Sequence, residues 1–234
     1  MKLVVENLTK DYGDNRVLDD VNFTFEEGKI YGLIGRNGAG KTTFFNCLNE
    51  DIEKTSGDIY LEKEIRFPLK SKDIGYVIAT PKVPEFLTGR EFLQFFLDIN
   101  EDKIKDLKSI DEYLKMVRLS KEDGDKLMKD YSHGMKNKMQ LLINFIDNKD
   151  VLLLDEPLTS LDVVVSEEMK TLLKKKKKDH IIIFSTHILE LALSLCDEIV
   201  IINNKKLELV EKKNLNTTKY KNKIINALKD EKDA

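Results

Sequence analysis

A glycine-rich stretch near the start of the chain has the residue types and spacing of a phosphate-binding loop. It runs Gly35-Arg36-Asn37-Gly38-Ala39-Gly40-Lys41-Thr42 and is followed by Thr43. Glycines let the backbone point successive N–H groups at an anion, the Lys41 ammonium can reach the terminal phosphates, and the Thr42 hydroxyl is a hard oxygen ligand for magnesium. We therefore predict that these residues contact a nucleotide and that Thr42 also binds its metal ion.

The sequence on either side of the loop supports this prediction. Residues Lys29–Ile34 are a candidate buried strand that enters the loop, and Thr42–Asn49 has the pattern of a helix that leaves it. A bound anion would then lie at a helix N-terminus, where unpaired amides and the helix dipole favour negative charge. The alternative of a glycine-rich turn closing a hairpin loses support in this strand–loop–helix setting.

Two carboxylates follow a second apolar strand candidate, Val151–Leu154. Ligands of a parallel sheet gather beyond the carboxyl ends of its strands, so Asp155 and Glu156 would lie beside the phosphate loop if the two strands are neighbours. Asp155 would then orient magnesium, directly or through water, and Glu156 would polarise the water that attacks the γ-phosphate. The alternative is a surface Asp-Glu turn before Pro157.

A third apolar strand candidate, Ile181–Phe184, leads to Ser185-Thr186-His187. A histidine at a strand end often has a structural role. Here a third strand end would converge on the same phosphate, which favours a hydrogen bond from His187 to the γ-phosphate or to the attacking water.

Composition limits the classes of protein to which the chain can belong. Of its 234 residues 41% are hydrophobic and 35% are charged, as in an ordinary globular protein, and the net charge is −3. Nucleic acid is not expected as a partner, because binding a phosphodiester backbone requires clustered positive charge. The two cysteines, Cys47 and Cys196, have no pairing or metal-binding spacing, which indicates small buried side chains in a reducing compartment.

The sequence has the features of a cytoplasmic protein. No run approaches the roughly 20 apolar residues of a membrane span. A carboxylate, Glu6, interrupts the first residues too early for a signal peptide. Any membrane role would therefore come through a partner.

The pattern of elements changes along the chain. Strands are predicted first, at Lys2–Thr9, Val21–Phe25, Gly57–Leu61 and Ile74–Ile78. Helices follow at Gly89–Ile99, Ile110–Leu119 and His133–Ile146, the first with Phe92, Phe95, Phe96 and Ile99 on one face. Strands and helices then alternate, at Val151–Leu154, Ser166–Leu173, Ile181–Ser185, Leu189–Leu195 and Glu198–Ile202. Wholly apolar strands alternating with helices predict a parallel sheet covered on both faces.

The motifs, taken in order, resemble those of the nucleotide-binding subunit of an ATP-binding cassette (ABC) transporter over about residues Leu3–Leu215. They are the phosphate loop, Tyr131-Ser132-His133-Gly134-Met135, Leu154-Asp155-Glu156-Pro157, Ser160-Leu161-Asp162 and Ser185-Thr186-His187. The resemblance implies an α/β fold: a P-loop NTPase core with a mostly parallel sheet and an antiparallel β edge subdomain, plus an inserted helical subdomain.

The expected boundaries follow from this fold. The ATP-binding α/β core would comprise residues 1–85 and 148–215, the helical signature subdomain residues 86–147, and a charged peripheral tail residues 216–234.

The resemblance also assigns roles to residues outside the phosphate loop. Ser132 and Gly134 match signature positions that contact the γ-phosphate of ATP bound by a second copy, and Ser132 is itself a good helix N-cap. Tyr12 matches an aromatic residue that stacks on adenine, and Ser160-Leu161-Asp162 matches a loop that contacts the partner subunit. The implied ligands are ATP and Mg²⁺, with Lys41, Glu156 and His187 as catalytic residues and Thr42 and Asp155 as metal ligands.

Two residues depart from the family pattern. Ala79 stands where the family has a glutamine that contacts magnesium, and alanine cannot bind a metal, so Thr80 or a water would have to substitute. His133 stands where the signature usually has glycine, and its side chain either crowds the phosphate or adds a hydrogen bond. Both put the rate of turnover in question more than the reaction itself.

The function implied by the resemblance is ATP hydrolysis that powers a transporter. The partners would be a second nucleotide-binding subunit, identical or homologous, and an integral membrane permease docked near the Pro81–Phe86 loop. The chain would then lie at the inner face of the cell membrane. Residues Pro84–Glu91 most resemble exporters of peptides or drugs. The alternatives are a soluble ABC ATPase not linked to transport, such as the iron–sulfur assembly type, and an ATP-sensing module with little turnover.

Overall fold

The structure, a computed structural model, describes residues 1–104, 106–158 and 163–210. Four strands form an antiparallel sheet: β1 (Lys2–Tyr12), β2 (Asn15–Glu26), β4 (Ser56–Glu62) and β5 (Arg66–Pro68), in the order β2-β1-β4-β5. Strands β1 and β2 are joined by a tight turn, across which Tyr12 pairs with Asn15.

Six further strands form a mostly parallel sheet. They are β3 (Ile30–Ile34), β6 (Ile74–Val77), β7 (Val151–Asp155), β8 (Ile181–Thr186), β9 (Glu198–Asn203) and β10 (Lys206–Val210), in the order β10-β9-β3-β8-β7-β6. Among the described strand pairs of this sheet, β10 and β9 are antiparallel and the others are parallel. The predicted α/β class with a parallel sheet and an antiparallel edge is confirmed.

Both faces of the parallel sheet are covered, as the apolar strands predicted. Along β7, Leu152 and Leu154 enter a cluster with the helices, whereas Val151 and Leu153 enter a second cluster with α1 (Lys41–Leu48) and the antiparallel sheet. Successive side chains of a strand point to opposite faces, so a strand buried on both sides has no polar position.

Four helices lie in the chain between β6 and β7: α2 (Gly89–Ile99), α3 (Ile110–Met116), α4 (Lys121–Gly124) and α5 (His133–Asp147). Each begins after a hydroxyl side chain that caps it, namely Thr88, Ser109, Ser120 and Ser132. Two more helices, α6 (Val163–Lys176) and α7 (Leu189–Leu195), connect the later strands. The domain boundaries given above stay a prediction, and the tail 216–234 lies outside the described residues.

The predicted apolar face of α2 is wrong in part. Leu93 and Leu97 are buried, whereas Phe95 is 58% exposed and Ile99 is 60% exposed. Because α2 is apolar around more than half of its circumference, periodicity alone leaves the inward direction ambiguous. Packing against the neighbouring helices places the Leu93 stripe inside, with Phe92 and Phe96 partly buried beside it.

Three short elements were missed: β5, α4 and β10. The β9–β10 connection is a tight hairpin in which Asn204 and Lys205 both have positive φ, 47° and 64°. That turn geometry usually carries a glycine, and residues 204 and 205 include none, so a strong turn signal is missing there.

The two cysteines are buried, as the sequence predicted. Cys47 and Cys196 are both buried and free, and burial raises the pKa of the Cys47 thiol to about 11. Of the helices that the structure describes, none has the length and apolar character needed to cross a bilayer.

Candidate functional site

The phosphate loop connects β3 to α1 in a conformation that requires glycine. Gly40 precedes the helix with φ 104°, which L side chains rarely adopt. At Gly35 a Cβ atom would lie 2.4 Å from Cγ2 of Ile202 on β9, so a larger residue would push the loop off the sheet. Within the described residues no side chain caps α1, which leaves its first amides to an anion.

Lys41 is a buried cation within this loop. Its side chain is only 7% exposed, and Nζ donates hydrogen bonds to the carbonyls of Gly35 (2.7 Å) and Arg36 (3.1 Å). Burial lowers the pKa of the Lys41 ammonium, while the negative charges of Glu156 and Asp155 act in the opposite direction. The loop therefore holds a poorly solvated positive charge, which an anion in the cleft would stabilise.

Thr42 and Asp155 join the loop to the end of β7. The Thr42 hydroxyl donates to Oδ2 of Asp155 at 2.9 Å, and the Ser185 hydroxyl donates to Oδ1. Asp155 lies beside the loop as predicted, although β3 and β7 are not direct neighbours and β8 lies between them. The loop reaches across β8, and Ser185 on that strand supports the same carboxylate.

Glu156 and His187 form a pair at the adjacent strand ends. Nδ1 of His187 lies 2.8 Å from Oε1 of Glu156. The Glu156 amide donates to the carbonyl of Ser185 (3.3 Å) and contacts its hydroxyl (3.2 Å). Glu156 has φ 49°, an uncommon conformation for a non-glycine residue that costs on the order of 1–3 kcal/mol. From the sequence, His187 was predicted to contact phosphate or the attacking water, and its contact with Glu156 was not predicted.

The phosphate loop, Asp155 and Glu156 line one open cleft of about 260 Å³. It is lined by Val17, Asn37, Gly38, Gly40, Lys41, Thr42, Thr43, Ala79, Asp155 and Glu156. The ends of β3, β6 and β7 thus meet at one edge of the sheet. Ala79 is exposed on the wall of this cleft.

Tyr12, Ser132 and Gly134, which were also predicted to contact ATP, are not among the described residues that line the cleft. Tyr12 is 48% exposed at the β1–β2 turn. Ser132 caps α5 by accepting a hydrogen bond from the Met135 amide at 3.2 Å, as predicted. Residues Ser160-Leu161-Asp162 lie outside the described residues.

Two residues of the site were missed from the sequence. Ser185 is fully buried and contacts both Asp155 and the Glu156 amide. The signal for it was a hydroxyl at the end of a wholly apolar strand, where a buried polar group needs a partner. Val17 on β2 lines the cleft from the antiparallel sheet, and an ordinary apolar strand residue gives no such signal.

The donor set fits a magnesium ion bound together with phosphate. A hydroxyl and a carboxylate, Thr42 and Asp155, already face each other at hydrogen-bond distance beside the buried Lys41. Magnesium takes hard oxygen ligands and usually retains water or phosphate oxygens, so two protein oxygens suffice. When bound, the ion would neutralise charge on the phosphates.

The chain is similar to known proteins of one family. Residues 18–159 match the ABC transporter family. An uncharacterised ABC transporter ATP-binding protein of Methanocaldococcus jannaschii is 35% identical over 88% of the chain and 75% of the relative. The bacitracin transport ATP-binding protein BcrA of Enterococcus faecalis is 34% identical over 93% of the chain and 71% of the relative.

A solved structure shares the fold. It is described as an ATP-binding subunit of an ABC transporter, and it matches with a TM-score of 0.77 and 26% identity over 90% of each chain. The two-sheet core and the helices between β6 and β7 are therefore a known arrangement.

Replacing Ser185 by alanine tests the support of the two carboxylates. Asp155, 2% exposed, would lose a donor, and the free energy of unfolding should fall by about 1–3 kcal/mol. Magnesium-dependent ATP turnover should fall as well. Ser194→Ala, which removes an exposed hydroxyl bonded to the Leu191 carbonyl, is the matched control and should change neither. Equal behaviour of the two variants in denaturant titration and ATPase assay would contradict this role.

Proposed function

Because the chain belongs to the ABC transporter ATP-binding family, whose members are ATPases, we propose that it powers a transporter by binding and hydrolysing Mg²⁺–ATP at this cleft. The observation that carries the proposal is the hydrogen bond from Thr42 to Asp155 beside the buried Lys41. A hydroxyl and a carboxylate of the kind that bind magnesium thus lie beside a buried cation that suits phosphate, which supports a site for Mg²⁺–ATP.

Each residue of the cleft has a distinct chemical task in this proposal. Lys41 and the amides of the loop at residues 35–43 bind the β- and γ-phosphates and stabilise the charge that develops on them. Thr42 and Asp155 bind the magnesium ion. Glu156 orients the attacking water and accepts its proton.

His187 acts through Glu156 and through the water. Nδ1 is within hydrogen-bond distance of the Glu156 carboxylate, which accepts only, so Nδ1 donates and carries the proton. In the neutral ring the other nitrogen, Nε2, is then an acceptor. In this arrangement His187 holds the carboxylate in place and presents Nε2 toward the attacking water.

The site is proposed to be complete only in a dimer. Ser132 and Gly134 would reach the γ-phosphate of ATP held by a second subunit, identical or homologous, with the start of α5 aimed at the anion. Supporting this, Val163 and Val164 at the start of α6 are 79% and 56% exposed, immediately after the residues expected to contact the partner. ATP would close the dimer because its γ-phosphate contacts both subunits, and hydrolysis would remove those contacts.

The conformational change of this cycle would be transmitted to a separate membrane permease. Phe86, 79% exposed, belongs to the loop proposed to dock the permease at the cytoplasmic face of the membrane. That loop is joined to α5 by an ion pair between Glu85 and Lys136 (2.9 Å), and the Ile78 amide donates to Gln140 on the same helix (3.2 Å). Movement of α5 would thus reach both the docking loop and Ala79 in the cleft.

Export of a peptide or drug is the direction we propose. It is supported by the similarity to the bacitracin transport ATP-binding protein over 93% of the chain. The cargo itself would be chosen by the permease.

Glu156→Gln tests the catalytic assignment. Glutamine keeps the size and an oxygen acceptor for His187 but cannot take a proton, so steady-state turnover should fall by roughly 10²–10⁴-fold. The variant should still bind ATP and should accumulate as an ATP-bound dimer, which size-exclusion chromatography detects. Glu122→Gln, at an exposed position on α4, is the control and should behave as wild type.

Two results of that experiment would count against the assignment. A Glu156→Gln variant that stays monomeric at saturating ATP and magnesium would contradict closure around ATP. A wild-type protein that binds ATP without turnover would favour the sensing module, for which Ala79 on the cleft wall is the specific argument.

Capture from detergent-solubilised membranes tests the link to transport. Tagged wild type should retain an integral membrane protein, and Phe86→Ala should lose it because the exposed ring no longer fills its contact. Ile65→Ala is the matched control, since Ile65 is 74% exposed at the turn before β5. If wild type captures no membrane protein, a soluble assembly ATPase is favoured. If Phe86→Ala still captures it, the permease docks at another surface.

A further inference from the structure

Lys10 and Tyr12 form a stacked pair at the end of β1. They are two residues apart on the strand, so their side chains lie on the same face. Nζ of Lys10 lies 4.6 Å from the centroid of the Tyr12 ring, within the range of a cation–π contact. Nζ also donates to the carbonyl of Glu53 at 2.7 Å. The cation is therefore fixed from two sides and covers one face of the ring.

Tyr12 lies on the antiparallel sheet that contributes Val17 to one wall of the phosphate cleft. Tyr12 pairs with Asn15 across the turn, and β2 continues from there to Val17, two residues or roughly 7 Å further on. Val17 lines the cleft, and its Cγ1 lies 3.0 Å from the position that a Cβ on Gly40 would occupy. Tyr12 remains 48% exposed, so surface of the ring not covered by Lys10 is open to a ligand.

We propose that Lys10 is a positioning residue for adenine: it holds the Tyr12 ring in place so that the uncovered face can stack on the base. The inference rests on the proposed binding of ATP at this site, and it adds a residue to that site. An exposed tyrosine loses side-chain freedom when a base stacks on it, and a ring held beforehand loses less. The Glu53 carbonyl contributes by keeping the ammonium under the ring.

A simpler role for Lys10 would be a positive charge that attracts the phosphates. The two roles predict different ligand dependence. A charge that acts on phosphates weakens every polyphosphate when it is removed, with or without the Tyr12 ring. A charge that acts through the ring matters only for a ligand that has a base and only while the ring is present.

Isothermal titration with a non-hydrolysable ATP analogue and with inorganic tripolyphosphate separates these roles. Lys10→Met keeps the aliphatic stem and removes the cation, and it should weaken the ATP analogue about two- to five-fold, because the freed ring must then be ordered on binding. Tripolyphosphate affinity should not change. Lys10→Arg, which keeps a cation over the ring, should bind the analogue with the affinity of wild type.

A double-mutant cycle with Tyr12→Ala completes the test. Tyr12→Ala alone should weaken the ATP analogue, and adding Lys10→Met to it should have no further effect. Lys63→Met removes a lysine that lies 6.0 Å from the Phe67 ring on another part of the antiparallel sheet, and it should bind the analogue as wild type does. Steady-state kinetics of Lys10→Met should show a higher KM for ATP at unchanged kcat.

The outcomes distinguish this inference from the proposed function. Equal weakening of tripolyphosphate, or the same effect of Lys10→Met with and without Tyr12, would overturn the positioning role while leaving ATP binding intact. Wild-type protein that binds neither ligand would instead overturn the proposed function. If Lys10→Arg weakens binding of the ATP analogue as much as Lys10→Met does, the cation–π contact is contradicted as well.

Discussion

The structure of the site depends on one hydrogen bond that joins the helix after β3 to the end of β7, a strand that is not adjacent to β3. The Thr42 hydroxyl, at the start of α1, donates to Asp155 at the end of β7, at 2.9 Å. Because β8 lies between β3 and β7, this contact can form only if the loop crosses the end of the intervening strand. Ser185 on β8 binds the other oxygen of the same carboxylate, and so all three strand ends are connected.

The rest of the fold can be understood as support for that crossing. Two apolar clusters bury the parallel sheet on both faces and leave its carboxyl edge as the place where polar groups collect. The antiparallel sheet contributes Val17 to the cleft wall and, at its turn, the exposed ring of Tyr12. Helix α5 is tied to the segment after β6 through Gln140, so the cleft and the helical segment are physically connected.

The features that depend on local residue spacing were predicted from the sequence. The glycines, Lys41 and Thr42 have fixed offsets, and apolar strands that end in polar residues indicated where β7 and β8 would stop. The features that depend on strand order or packing could not be predicted in this way. The contact of His187 with Glu156, the support from Ser185 and the Lys10–Tyr12 stack each join residues whose proximity requires the folded chain or its side-chain rotamers. The inward face of α2 was missed because most of that helix is apolar.

The most direct test of the account is the affinity of the protein for Mg²⁺–ATP, measured by calorimetry on wild type, Lys41→Met and Lys29→Met. Lys41 is 7% exposed inside the loop, whereas Lys29 forms a surface ion pair with Glu26 at 2.8 Å. Wild type and Lys29→Met should bind ATP with similar affinity, and Lys41→Met should lose most of it. Equal affinity in all three proteins, or no binding by wild type, would contradict the account.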